Sequence, residues 1–152
     1  MATAGSLESG VLGGPIFYLV GANEGFVMST DSSVAAGFFE PQTAGPFSNA
    51  SFSGNYMLGT IAPAVAGSKM ESGELTSPGD GTFEMKLDTS DSSGSLRTGQ
   101  DVPEEILVYP QGLGIDGEFL PDFTYMISPD KAVSIWETVG RWPTIMIIER
   151  QN

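Results

Sequence analysis

Glycine and proline interrupt this chain so often that a long helix has nowhere to form. Twenty Gly and ten Pro are spread over 152 residues, and a globular helix needs roughly 8–20 uninterrupted residues. Between the breaks lie short runs of β-branched and aromatic residues bounded by turn clusters, the pattern of an all-β domain. The expected fold is therefore all-β, an antiparallel up-and-down barrel or sandwich of about 8–12 short strands. The strand candidates are Ile16–Val20, Phe26–Thr30, Val34–Gln42, Phe52–Thr60, Ala64–Thr76 with breaks, and Thr82–Asp88. Ser95–Thr98, Glu105–Tyr109, Gly117–Leu120, Phe123–Ile127, Ala132–Glu137 and Thr144–Arg150 follow.

The turns between them have their own chemistry. In "SPGDGTF", Pro78 presets φ while Gly79 and Gly81 supply positive φ around Asp80. Pro129 and Asp130 of "ISPDKA" fit a type I turn, and Asn23 with Gly25 of "GANEG" are expected to do the same work earlier. Pro143 of "GRWPT" breaks the last two strands.

The chain repeats itself. "IFYLVGANEGFVMSTD" near the start and "FTYMISPDKAVSIWET" near the end both place an apolar run, a short polar turn and a second apolar run in order. Tyr18 aligns with Tyr125, Phe26 with Val133 and Met28 with Ile135. Further on, Glu40 and Gln42 of "FFEPQ" answer Glu149 and Gln151 of "IIERQ", after an insertion at "GRWP". Two unrelated hairpins share much of this pattern, which is the competing explanation.

The stretch "FYLVGANEGFVMSTD…FFEPQTAGPFSNASFSGNYMLGT" resembles the junction between tandem modules of large secreted bacterial surface proteins. There an "EPQ" strand ends one unit and a "GPFSNASLSGNY"-like segment opens the next. The resemblance implies a small antiparallel barrel, similar to lipocalin or streptavidin architecture, with an extracellular or cell-surface location and no catalytic residues. Residues 1–15 are expected to be a flexible N-terminal segment and 16–152 a single all-β domain. Within it, 47–151 is a full module, and 16–45 is a half-module or strand-exchange segment. Three orphan strands expose apolar faces and backbone edges, so they must either join one enlarged barrel of some eleven strands or pair with a neighbour.

Charge and composition narrow the function. Six Lys+Arg against nineteen Asp+Glu give a net charge of −13, a field that repels nucleic acid and anionic lipid. No segment reaches the ~18 apolar residues of a membrane span, so no membrane insertion is expected. The chain has no His and no Cys. That removes Ser-His-Asp and Cys-His catalysis, disulfides and thiolate metal sites. A non-enzyme is expected.

The remaining motifs favour plain readings. "GLGIDG" fits G-x-G-x-x-G, but "EFLPDF" follows where a dinucleotide site needs a helix, so it reads as a glycine-rich turn. "DTSDSSGS" offers Asp88, Ser90, Asp91 and Ser92 to a weakly held Ca²⁺ but departs from the EF-hand pattern. A solvated hairpin loop is the expected reading, and no cofactor is expected. Asp101, Glu104 and Glu105 read as a solvated acidic loop rather than a glycosidase pair, because neighbours in a strand point to opposite faces. Asn49 of the "NAS" sequon is expected to shape the turn before Phe52, and Trp136 to lie in the core.

Two functional readings follow. The first is a structural module that self-assembles, as homo-oligomer or filament, by β-strand pairing between subunits. Phe17, Tyr18, Phe26, Phe38, Phe39 and Trp142 are the candidate interface or ligand residues, and adjacent aromatics such as Phe38 and Phe39 demand cover on both strand faces. The second is a lipocalin-like barrel holding a small apolar ligand among Tyr, Phe and Met side chains.

Overall fold

The structure, a computed structural model, describes residues 16–30, 36–43, 45–61, 69–91, 93–116, 122–136 and 144–151. The expected flexible segment 1–15, the strand at 117–120, and Trp142 with residues 140–143 lie outside the described residues. The chain divides into two compact units, 1–42 and 43–152.

The first unit holds β1 (Ile16–Gly21), β2 (Glu24–Met28) and β3 (Ala36–Phe39), an antiparallel sheet in the order β1-β2-β3. In the second unit a single 3₁₀ turn at Asn49–Ser51 precedes β4 (Gly54–Thr60), β5 (Met70–Ser77), β6 (Thr82–Ser90) and β7 (Leu96–Val108). Then come β8 (Leu113–Asp116), β9 (Asp122–Ser128), β10 (Lys131–Trp136) and β11 (Thr144–Arg150). Those eight strands close into a barrel in which β11 returns to pair with β4. Every pairing is antiparallel, so the fold is all-β and the barrel runs up and down. Closure takes eight strands, and β1–β3 form a sheet of their own rather than part of an eleven-stranded barrel.

Alternation builds the barrel core. Along β6, Phe83, Met85 and Leu87 are buried while Glu84, Lys86 and Asp88 face out. The same period points Tyr56 and Leu58, Ile106 and Val108, and Met146 and Ile148 inward. Eight strands enclose just enough room for such side chains. The lead-in segment caps one end. Phe47 and Phe52 are buried in the core, Phe47 N–H donates to Pro110 O at 3.0 Å, and Thr43 N–H donates to Ile127 O at 2.8 Å. Asn49 bridges two turns there: its Nδ2 donates to Asp80 O and its Oδ1 accepts from Val108 N–H. The sequon asparagine is thus a structural tie.

Several boundaries differ from expectation for physical reasons. Ser95–Thr98 and Glu105–Tyr109 are parts of one long strand, β7, which runs through Pro103. Ile106 N–H points to β6, donating to Gly81 O, and Tyr109 N–H points the other way, to Leu113 O. Pro103 has the parity of Tyr109, so its nitrogen faces away from β6 and the missing N–H costs no bond of the β6–β7 ladder. Of the described residues of "GLGIDG", only the first belongs to a turn. Gly112, at φ +87°, donates to Tyr109 O, and Leu113–Asp116 then form β8. Gly114 lies in that strand because a Cβ there would sit 2.4 Å from Ile106 Cδ1. Phe52, expected to start a strand, instead ends the 3₁₀ turn.

The acidic turns are held by their own carboxylates. Asp80 Oδ1 accepts from Thr82 N–H at 2.9 Å and Thr82 Oγ1 at 2.7 Å. The Thr82 donors hold its carboxyl below the usual carboxylate range. Asp91 is lowered likewise, chiefly by the Ser93 hydroxyl and then by Ser93 N–H. A depressed carboxylate contributes stability above its unfolded pKa of about 4 and loses it as pH falls through the lower folded value. Measured against intrinsic exchange, amide protection in both hairpin turns is therefore expected to fall below about pH 4, and Asp80→Asn to remove that pH dependence at the first turn. Acid-insensitive protection in the wild type would refute this.

Candidate functional site

The sheet β1–β3 gathers five of the six candidate contact residues. The pairings Tyr18↔Phe26↔Phe38 set three aromatics side by side on one face. The pairings Phe17↔Val27↔Gly37 and Leu19↔Gly25↔Phe39 build the other. On that second face the Phe39 ring reaches across β2 to meet Phe17 edge-on at 5.9 Å. Gly25 permits this crossing, since a Cβ there would lie 2.2 Å from Tyr18 O and 2.9 Å from the Phe39 ring. Gly25 thus belongs to a strand and not to the turn. Within that turn Asn23 takes the left-handed backbone, at φ +59°. Phe17, Tyr18, Leu19, Phe26, Met28 and Phe38 are all exposed. Leu19, Val27 and Met28 were absent from the sequence-based set, although the alternation that selects Phe17 and Phe26 also selects them.

This sheet duplicates the end of the barrel. The pairs Ile16↔Met28, Phe17↔Val27, Tyr18↔Phe26, Leu19↔Gly25 and Gly21↔Glu24 join β1 to β2. In the barrel, Phe123↔Ile135, Thr124↔Ser134, Tyr125↔Val133, Met126↔Ala132 and Ser128↔Lys131 join β9 to β10. The sequence alignment converts each pair into its counterpart. Both ladders also skip one residue at the same place, Val20 in the first and Ile127 in the second. β3 extends the match. Gly25↔Phe39, Phe26↔Phe38, Val27↔Gly37 and Met28↔Ala36 correspond to Ala132↔Ile148, Val133↔Ile147, Ser134↔Met146 and Ile135↔Ile145. The repeat seen in the sequence is thus one of three strands, two registers and a bulge.

Other polar clusters have plainer roles. Asp91 is engaged by Ser93 and Ser95, and Asp88 accepts from Gly99 N–H at 2.8 Å, so backbone donors occupy carboxylate oxygens of the loop considered for Ca²⁺. Ser92 lies outside the described residues. An open groove of about 820 Å³ beside Asn49 has Asp80, Glu84, Glu104 and Glu105 on its walls. Among the described residues no three carboxylates converge as a metal cluster. Glu104 and Glu105 alternate along β7, and Asp101 pairs with Lys86 across the strands at 3.8 Å.

The sequence reading missed Glu71, which is buried inside the barrel in an ion pair with Lys69 and accepts from Thr89 Oγ1 at 3.3 Å. It also missed the buried Thr124–Ser134 hydroxyl pair, to which Trp136 Nε1 donates at 2.8 Å. Trp136 packs against the core, as its strand position suggested.

No family model, curated protein or solved structure matches the chain. Among the described residues no helix is long and apolar enough to cross a membrane.

Proposed function

We propose that this protein is a non-enzymatic structural module, working outside the cell or at its surface, that builds arrays by β-strand pairing between subunits through β1–β3. The duplicated sheet carries the reading. β1–β3 keeps the registers of three barrel strands, yet among the described residues its ladder ends at β1 and β3. A small sheet with aromatic residues on both faces is marginal alone and invites pairing with another chain.

Two further observations support it over a ligand-binding barrel or an enzyme. Phe52, Tyr56, Phe83, Met85, Met126 and Met146, the side chains that would line an apolar ligand site, pack against one another in one buried cluster. The chain also lacks the imidazole and thiol groups on which most acid–base and nucleophilic chemistry near neutral pH relies.

Light scattering across a concentration series tests the reading. Oligomers are expected to grow with concentration and with added salt, because a net charge of −13 opposes contact between copies until it is screened. A strict monomer at every concentration and salt level would end it.

A further inference from the structure

We infer that β1–β3 is a spare closing sheet for a barrel, and that the partner it fits is an open five-stranded antiparallel sheet of the β4–β8 kind lacking its own last three strands. The inference rests on reading β1–β3 as a joining element and says what it joins. In the barrel, β9–β11 close five strands by pairing β9 with β8 and β11 with β4. Among the described residues, β1 and β3 are the edge strands of a sheet with the same registers and the same bulge. Their outer edges therefore correspond to the edges that β9 and β11 offer to β8 and β4.

The side chains agree with the backbone. The barrel-facing positions of β9–β11 are Thr124, Met126, Ala132, Ser134, Met146 and Ile148, all buried. Their counterparts are Phe17, Leu19, Gly25, Val27, Gly37 and Phe39. Every counterpart is apolar or glycine, and the two phenylalanines make up for the bulk lost at Gly37. Such redistribution of volume is what barrel cores tolerate best.

Counting strands identifies the partner. Each intact copy brings one five-stranded sheet and two closing triplets, so a population of copies with closed barrels always has one triplet left over per chain. A second intact copy offers only another triplet, which can meet β1–β3 edge to edge but cannot seat it in a barrel wall. The missing complement is five open strands. One difference ranks the two closers. Arg150 ties β11 to Ser53 O at 2.8 Å and to Asp130 at 3.3 Å, whereas the matching position after β3 is Pro41. β9–β11 is thus the stronger closer, and β1–β3 acts where β9–β11 is missing or disabled.

Cross-linking between full-length chains tests this, and the absence of native Cys makes any introduced pair unambiguous. The receptor chain carries Ser134→Asp and Met146→Asp, two facing buried sites, to disable its own closure. It also carries Val27→Asp to disable its own spare sheet, and Leu113→Cys on β8. The donor is the wild-type chain with Tyr18→Cys, since Tyr125, the counterpart of Tyr18, pairs with Leu113 in the barrel. A donor–receptor disulfide is expected, with the receptor becoming protease-resistant on mixing. A donor that also carries Val27→Asp should give neither, and nor should a receptor carrying Leu113→Cys alone. A receptor that stays protease-sensitive and uncross-linked overturns the inference, as does cross-linking that ignores Val27→Asp. Donor–donor disulfides alone would overturn it while leaving self-association through β1–β3 intact, and a monomeric donor that still cross-links to the receptor would do the reverse.

Discussion

Ile148→Asp is expected to unfold the barrel, while Phe39→Asp, its counterpart in β3, should leave the barrel's melting transition where it was. The two positions hold the same place in matched ladders, opposite Ala132 and Gly25. Their surroundings decide the outcome. Ile148 is 4% exposed and packed in the core, so the substitution removes its apolar contacts and forces a carboxylate among apolar side chains. The cost is about 4 kcal/mol or more, against a total stability of roughly 5–15 kcal/mol for a domain of this type. Phe39 belongs to the other unit, where its ring meets that of Phe17. Its loss should abolish concentration-dependent association instead. Thermal melts with light scattering on both variants measure the two effects. A barrel that melts early in Phe39→Asp would mean that β1–β3 supports the barrel core.

Much of this contrast was legible in the sequence, because hairpins advertise themselves locally. Turn residues such as Asn23 and Asp130, flanked by alternating apolar residues, announce β1–β2 and β9–β10 without any knowledge of the remainder. Alignment of the two stretches then gave the repeat. What the sequence could not show depends on distant neighbours. Closure at eight strands rests on β11 meeting β4, a pairing between residues far apart in the chain. The bulge at Val20 and Ile127 looks like one more apolar residue in a run. Pro103 reads as a break, and only the parity that turns its nitrogen away from β6 makes it a tolerated strand residue. Glu71 reads as a surface charge in "KMESGEL". Counting parity back from buried Leu75 places it inside, but nothing in the sequence tells which parity wins until Lys69 and Thr89 are found beside it.

Conserved geometry with changed side chains also explains why one copy is a barrel wall and the other is not. Register and bulge are properties of the backbone and its turns, and both copies have them. Burial depends on what stands opposite. Thr124 and Ser134 can be polar because they satisfy each other and Trp136 inside a closed wall. Phe17 and Val27 hold the same positions with no polar atom to satisfy. A sheet that must find its cover elsewhere gains from apolar residues on that face, since they need only contact and no matched donor.

The clamp around Tyr56 gives the second large effect. Its ring is fully buried, 4.7 Å from Phe52, and the Arg150 guanidinium lies 6.0 Å from its centroid. Its hydroxyl donates to Pro129 O at 3.0 Å and lies 3.3 Å from Ser53 O, so one side chain links β4 to the β9–β10 turn. Tyr56→Ala should cost about 3–5 kcal/mol, the range for truncating a buried aromatic. Tyr56→Phe should cost about 1 kcal/mol, the net value of the hydrogen bond. The difference between the two variants separates packing from polarity. Burial pushes the Tyr56 phenol above its ordinary pKa. The unfolded chain therefore gives up that proton first, and the stability due to Tyr56 is present below about pH 10 and lost as pH rises beyond it. Urea titrations at pH 7 and pH 11 should show the wild type losing more stability than Tyr56→Phe between the two. Equal losses would mean that the phenol is not held in its neutral form by the fold.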